Sequence, residues 1–102
     1  MESDWKKLGK MLPVWRERYL TDHNARIVRI LTDPKKTETE RFWDAKKQMQ
    51  KDARTLEQCL DDMRRSTMLV RLWTMRKAGM IKREDLADFS QELQDDVFRD
   101  FS

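Results

Sequence analysis

The segment that decides the fold comprises residues 37–83, TETERFWDAKKQMQKDARTLEQCLDDMRRSTMLVRLWTMRKAGMIKR. It contains no Pro, and its single Gly, Gly79, lies near its end. Apolar side chains recur along it at an interval of seven residues: Phe42, Met49, Leu56, Met63 and Val70. A seven-residue apolar repeat is typical of a long helix packed along one seam. The segment therefore predicts an all-α fold.

The start of this segment carries a helix signal of its own. Thr37 followed by Glu40 matches a capping box, in which each side chain accepts a hydrogen bond from the other residue's backbone N–H. Thr55 and Gln58 match the same motif. Residues 37–77 are therefore expected to form either one continuous helix or two helices with a break near residues 53–55.

The first third of the chain predicts one or two further helices. Ser3 and Asp4 are suitable N-caps for a short first helix. Pro13 either kinks the chain or occupies the first position of a second helix. Residues 14–31 collect apolar side chains on one wide face, which is typical of an amphipathic helix.

The second half of the chain contains the helix that we expect at the centre of the domain. Between residues 68 and 75 the apolar side chains point in every direction, and a helix that is apolar all round is a buried helix, so the segment 63–75 is expected to be the centre. Ala78-Gly79 is a typical C-cap, and short helices are expected at residues 83–89, anchored by Leu86 and Phe89, and after the N-cap Ser90. We expect residues 1–102 to form a single domain, a compact bundle of four to six helices around a central buried helix.

Composition limits the class of protein. The chain is 40% charged and 38% apolar, and no apolar run approaches the length of a membrane span. Four Trp, four Phe and seven Met supply the apolar surface that disordered chains lack. The first residues show no signal-peptide pattern, and the single cysteine, Cys59, cannot form an internal disulfide. These features favour a soluble protein of the reducing cytoplasm.

No pattern in the sequence indicates catalysis or a cofactor. His23 is the only histidine and lies among apolar residues at helical spacing, so we expect it to be partly buried and hydrogen-bonded. Cys59 is expected to be a small buried apolar residue and not a reactive thiolate. One His and one Cys are too few for a zinc site, and no Gly-rich phosphate loop is present. The prediction is a protein that is not an enzyme, with no catalytic residue, metal or cofactor.

The charge distribution provides one candidate binding surface, which we call the basic band. Residues 64–83 contain no acid and seven basic residues, namely Arg64, Arg65, Arg71, Arg76, Lys77, Lys82 and Arg83. Residues 84–102 contain seven acids and one Arg. Either this acidic tail folds back and neutralises the basic band, or the band binds nucleic acid or an acidic partner.

A second candidate surface surrounds Trp43. This residue lies about 100° from the apolar stripe that begins at Phe42, because successive helical residues are separated by that angle. It either packs under the N-terminal helix or is an exposed aromatic anchor of the kind that dominates binding hot spots. In the second case its neighbours Arg41, Lys46 and Lys47 complete a partner-binding surface.

Several stretches resemble small, uncharacterised, all-helical proteins of bacterial phages and integrative mobile elements. The residues that carry the resemblance are Leu12-Pro13 with Tyr19, ERFWDAKK at 40–47, MRRS at 63–66, AGMI at 78–81 and DLADFSQEL at 85–93. Such proteins often have a Pro-Gly break in the long helix, where this chain has Ala53-Arg54-Thr55. The resemblance implies no activity, but it indicates a mobile-element context.

The function expected from these patterns is a non-enzymatic protein-interaction module. The resemblance suggests a phage or mobile-element inhibitor of a host defence system, similar in action to an anti-CRISPR protein, with a host protein as its partner. The alternative is a small DNA- or RNA-binding regulator that uses the basic band. A homodimer through the seven-residue seam is a third interpretation, although the seam can equally be buried within one chain, and a monomer is favoured.

Overall fold

The computed structural model describes residues 2–99 and is built from helices. The α-helices are α1 (Glu2–Leu31), α2 (Glu38–Leu60), α3 (Met68–Lys77) and α4 (Gln91–Val97), with short 3-10 helices at Arg65–Thr67 and Arg83–Leu86. Residues 2–99 contain no strand. The all-α prediction is confirmed, and the four α-helices fall within the expected number.

The N-terminal part differs from the expectation of two helices, because α1 continues through Pro13 without interruption. Proline removes one backbone donor and leaves the carbonyl of residue i−4, here Gly9, without its helical partner. Both residues lie on the exposed side of α1, where water can satisfy this carbonyl. The prediction of a new helix that begins at Pro13 is therefore wrong.

The long segment is broken, but at a different place from the one predicted. Residues 53–55 lie within α2, and the chain leaves the helix at Asp61. Asp62 adopts a left-handed conformation with φ 55°, which Asp tolerates better than most residues. Its carbonyl accepts a hydrogen bond of 2.8 Å from the hydroxyl of Thr67, which stabilises the turn before α3. Both expectations, a continuous helix and a break at 53–55, are therefore wrong.

Three of the predicted helix caps are confirmed, but Ser3 and Asp4 lie inside α1, and Thr55 and Gln58 lie inside α2. Thr37 N donates to Glu40 Oε1 at 3.0 Å, and Glu40 N donates to Thr37 Oγ1 at 3.1 Å, so the capping box is complete. Gly79 has φ 75°, and the next residue, Met80, donates its N–H to the carbonyl of Met75, which is the Schellman pattern. Ser90 caps α4 by accepting from Leu93 N.

The seven-residue seam is not the buried face of α2. The helix buries Ala45, Asp52 and Cys59, which repeat at the same interval but in a different register. Phe42 and Met49, by contrast, are more than half exposed. An apolar interval of seven predicts a helix, but it does not identify which of several parallel rows faces the core.

A similar correction applies to α3. Met68, Leu72 and Met75 are buried, as expected of a core helix. Val70 is more than half exposed, however, and Trp73 is only partly buried. The prediction that this helix is buried all round is therefore wrong.

The main hydrophobic core lies at one end of the molecule, which we call the globular end. Trp15 of α1 is fully buried there, and its ring stacks on Phe89 at a centroid distance of 6.2 Å. Leu86 and Phe89 are both buried, as predicted. The other members of this core come from the first part of α1, the end of α2, α3, α4 and the loop between α3 and α4.

The rest of the α1–α2 hairpin, residues 20–55, projects from the globular end, and we call it the arm. None of its residues belongs to the main core. The molecule measures 51 × 29 × 19 Å, and its radius of gyration is 16.4 Å. A compact chain of this length would have a radius of gyration of about 13 Å. The shape is therefore elongated, in contrast to the expected compact bundle.

One buried polar contact joins the two ends of the chain at the globular end. The carboxylate of Asp4, which is almost fully buried, accepts hydrogen bonds from Ser90 N at 2.8 Å and from Ser90 Oγ at 2.6 Å. The start of α1 is thereby attached to the N-cap of α4. Hydrogen bonds to a charged group contribute more to stability than bonds between neutral groups.

We predict that Asp4→Ala lowers the free energy of unfolding by about 2 kcal/mol, because Ser90 N then stays buried without this acceptor. Urea denaturation followed by circular dichroism would measure the change. Asp44→Ala is the matched control, since Asp44 is exposed. Equal stabilities of the two variants would contradict the structural role of Asp4.

Candidate protein-interaction surface

The surface predicted around Trp43 lies at the far end of the arm. Trp43 is more than half exposed, so the interpretation that it packs under the N-terminal helix is wrong. Its ring meets that of Phe42 edge to face, with 5.1 Å between the centroids. Lys46 Nζ lies 5.0 Å from the centre of the Trp43 ring, within the range of a cation–π contact. The structure thus places two aromatic rings and an ammonium group together on the surface.

The other two residues predicted for this surface behave differently from each other. Arg41 Nε donates to the carbonyl of Asp33 at 2.8 Å, and its guanidinium also pairs with Glu38. Arg41 therefore attaches the loop between α1 and α2 to the start of α2, which is a structural role. Lys47 is exposed, one helical turn after Trp43.

Sequence reasoning did not assign Phe42 and Met49 to this surface, because both fitted the predicted buried seam. Seven large apolar residues are exposed among residues 2–99: Val14, Val28, Leu31, Phe42, Trp43, Met49 and Val70. Five of these seven belong to the arm. The arm therefore carries most of the exposed large apolar side chains of residues 2–99. Exposed apolar residues grouped in this way mark binding surfaces.

The basic band does not form a single free surface. Arg65 makes two hydrogen bonds of 2.8 Å with Glu2, and this pairing lowers the pKa of Glu2 and raises the pKa of Arg65. Arg64 pairs with Asp62 at 2.8 Å. Arg71 donates to the carbonyl of Gln58 at 3.0 Å. These three arginines thus bind the chain's own N-terminus and the end of α2.

Two further arginines of the basic band, Arg76 and Arg83, contact the C-terminal region. Arg83 pairs with Asp95 at 2.7 Å, and this contact, together with a hydrogen bond from Gln91, lowers the pKa of Asp95. Arg76 donates to the carbonyl of Val97 at 3.0 Å. Lys77 and Lys82 are exposed. Within residues 84–99 the tail is therefore docked on the band, while residues 100–102 lie outside the described part of the chain.

A polar cleft of about 850 Å³ lies where the arm meets the globular end. His23 and Asp52 line it, and His23 Nδ1 lies 2.8 Å from Asp52 Oδ1. Because an ionised carboxylate can only accept, Nδ1 is the donor. Gln48 donates to the same oxygen at 3.0 Å, and the ring of Tyr19 stacks on His23 at 3.9 Å. His23 is partly buried and hydrogen-bonded, as predicted.

The other side chains that line the cleft make contacts of their own. Burial raises the pKa of Tyr19 above its usual value. The hydroxyl of Thr55 donates to the carbonyl of Lys51 within α2. At the other side of the cleft, Arg18 makes two hydrogen bonds with Asp85, which lowers the pKa of Asp85 and joins α1 to the loop after α3. These contacts hold the arm in position.

Residues 2–99 contain no group of three or more His, Cys, Asp or Glu side chains placed to hold a metal ion. Over the same residues, no helix combines the length and apolar character needed to cross a membrane. Comparison with protein-family models, with curated proteins and with solved structures gives no significant match. The resemblance to phage and mobile-element proteins therefore stays a prediction.

The contact between His23 and Asp52 leads to a prediction about the arm. His23→Leu leaves the buried carboxylate without its main donor and is expected to lower the free energy of unfolding by about 2 kcal/mol. Replacing both residues by Leu should recover most of this loss, because removing both partners of a buried hydrogen bond leaves neither of them unpaired. Urea denaturation of the two variants tests this. A double variant less stable than the single one would contradict the expectation.

Cys59 provides a prediction about reactivity. The thiol is fully buried, and burial raises its pKa from 9.0 to about 11. At any pH below both values the thiolate fraction is lower by about a hundredfold than in an exposed thiol. We expect a disulfide reagent at pH 8 to label the urea-unfolded chain at least about a hundredfold faster than the native protein. Rapid labelling of the native protein would mean that Cys59 is accessible.

Proposed function

We propose that this protein is a non-enzymatic interaction module that binds a partner protein through the arm. The observation that carries the proposal is the distribution of exposed large apolar residues, five of seven of which lie on the arm. A two-helix arm cannot bury both faces of its helices by itself. A partner that covers Phe42, Trp43 and Met49 would remove this apolar surface from water.

In this proposal the globular end holds the arm. Here α3 acts as the central helix, because it contacts both α2 and α4. Trp15 and the Arg18–Asp85 contact attach the first part of α1 to the residues around the end of α3 and the loop after it. The arm is thereby presented to a partner as a rigid hairpin. Rigid presentation lowers the conformational entropy that binding would otherwise cost.

The biological context we propose is that of a phage or mobile element. A small one-domain protein of this kind would act in the cytoplasm and would inhibit a host defence protein by covering part of its surface. The resemblance given above supports this context.

The alternative, a DNA- or RNA-binding regulator that uses the basic band, has less support. Arg64, Arg65 and Arg83 each pair with a carboxylate of the same chain. A phosphate would have to displace these carboxylates, which offsets part of the gain from binding. Lys77 and Lys82 are the exposed lysines of the band that remain for such contacts.

The test is an affinity pulldown of the tagged protein from bacterial extract, with and without nuclease. We expect one stoichiometric protein that survives nuclease, is lost with the Phe42→Ala/Trp43→Ala variant and is retained with Val14→Ala/Val70→Ala. The control pair matches the first in exposure but lies on the globular end. Nuclease-sensitive nucleic acid without a constant protein would instead support the regulator.

A further inference from the structure

Eight exposed residues of α2 form a continuous surface, which we call the α2 outer face. They occupy two adjacent rows with i, i+4, i+7, i+11 spacing. One row contains Phe42, Lys46, Met49 and Ala53, and the other contains Trp43, Lys47, Gln50 and Arg54. The rows extend along about 18 Å of helix. Apolar and basic side chains are therefore interspersed on one surface of the arm.

The α2 outer face contains three cations and no acid. Its cations, Lys46, Lys47 and Arg54, make no ion pair or hydrogen bond with any residue in 2–99, in contrast to the arginines of the basic band. The whole arm has nine Lys and Arg against six Asp and Glu, and this excess of three equals the net charge of the chain, +3. The unneutralised positive charge thus belongs to the arm.

We propose that the α2 outer face binds an amphipathic helix of a partner protein, with acidic residues on both sides of its apolar stripe. This inference rests on the proposed function and specifies the chemistry of the partner. Apolar residues at helical spacing on the partner would pack on Phe42 and Met49, and its carboxylates would lie beside Lys46, Lys47 and Arg54. The bound helix would pack on the side of α2 that faces away from α1.

A second copy of the chain fits this surface less well. In a two-fold interface the same surface of both copies meets itself, so residues of one face contact residues of the same face. Six cations would then share the interface, and neither face supplies an acid to pair with them. Like charges brought together across an interface oppose association.

A nucleic acid also fits less well. The phosphates of a duplex would neutralise Lys46, Lys47 and Arg54, but its bases are stacked on one another and offer little apolar surface to Phe42 and Met49. Phe42 and Met49 alternate with the cations at helical spacing. A ligand that contacts the apolar side chains and also pairs with the cations therefore needs apolar and acidic groups at the same spacing. An amphipathic acidic helix has this pattern.

The experiment uses a displayed library of helical peptides of about 16 residues. Their apolar positions are fixed as Leu at helical spacing, and their polar positions are drawn equally from Glu, Gln and Lys. The full chain is the bait, and the Phe42→Ala/Trp43→Ala variant serves for counter-selection. We expect the selected peptides to carry Glu beside the Leu stripe.

Binding of one selected peptide, followed by fluorescence anisotropy, then tests individual residues. We expect Phe42→Ala/Trp43→Ala to weaken the affinity about tenfold or more, and Lys46→Glu to weaken it severalfold. Lys77→Glu makes the same charge change on the globular end and should leave the affinity within about twofold. Circular dichroism and melting temperatures show whether each variant is folded, which is expected because the replaced side chains are exposed.

Selection of Lys-rich or charge-indifferent peptides, or of none, would overturn the inference. So would displacement of the selected peptide by a short DNA duplex at equal concentration, or a dimer in sedimentation that Phe42→Ala/Trp43→Ala abolishes. If the pulldown nevertheless captures a protein that depends on Phe42 and Trp43, the proposed function stands and only the acidic-helix chemistry fails. If that dependence is also missing, both proposals fail.

Discussion

The burial of Trp15 at the globular end is the interaction on which the rest of the structure depends. Its ring stacks on Phe89 and lies in a core built from both ends of the chain. The Asp4–Ser90 contact joins the same two regions through a buried carboxylate. A chain of 102 residues has enough apolar side chains for one modest core. Because that core is built at one end, the hairpin beyond it has only its own two helices for packing.

The composition of the arm reflects the fact that residues 2–99 build only one hydrophobic core. It buries only Ile27, Ala45 and Asp52, and where it meets the globular end its two helices are joined by the polar His23–Asp52 contact. The large apolar side chains of its outer surface, including Phe42 and Met49, stay in water. The arm and the globular end also differ in how their positive charges are paired. The arginines of the basic band are mostly neutralised within the globular end, while Lys46 and Lys47 of the arm are not.

Local features of the fold could be predicted because they depend on neighbours in the sequence. The Thr37 capping box, the turn at Gly79 and the Ser90 cap involve residues at most five positions apart. Features that depend on distant contacts were predicted less well. Pro13 was expected to interrupt α1, but its exposed position and the packing of α1 on both sides allow the helix to continue. The break after Leu60 is stabilised by Thr67 and by a left-handed Asp62, which no helical periodicity indicates.

The sequence by itself determined the all-α class, the caps and the rows of side chains that each helix presents. It also placed Trp43, Lys46 and Lys47 among the candidate binding residues. Only the tertiary structure decided which row of α2 faces the core, because the rows through Phe42 and Ala45 both repeat every seven residues. It also decided which basic residues are neutralised, since Arg65 and Glu2 are far apart in the chain and meet only when the start of α1 lies beside the 3-10 helix that precedes α3. Periodicity is a property of one helix, whereas burial and ion pairing depend on what a second helix places opposite it.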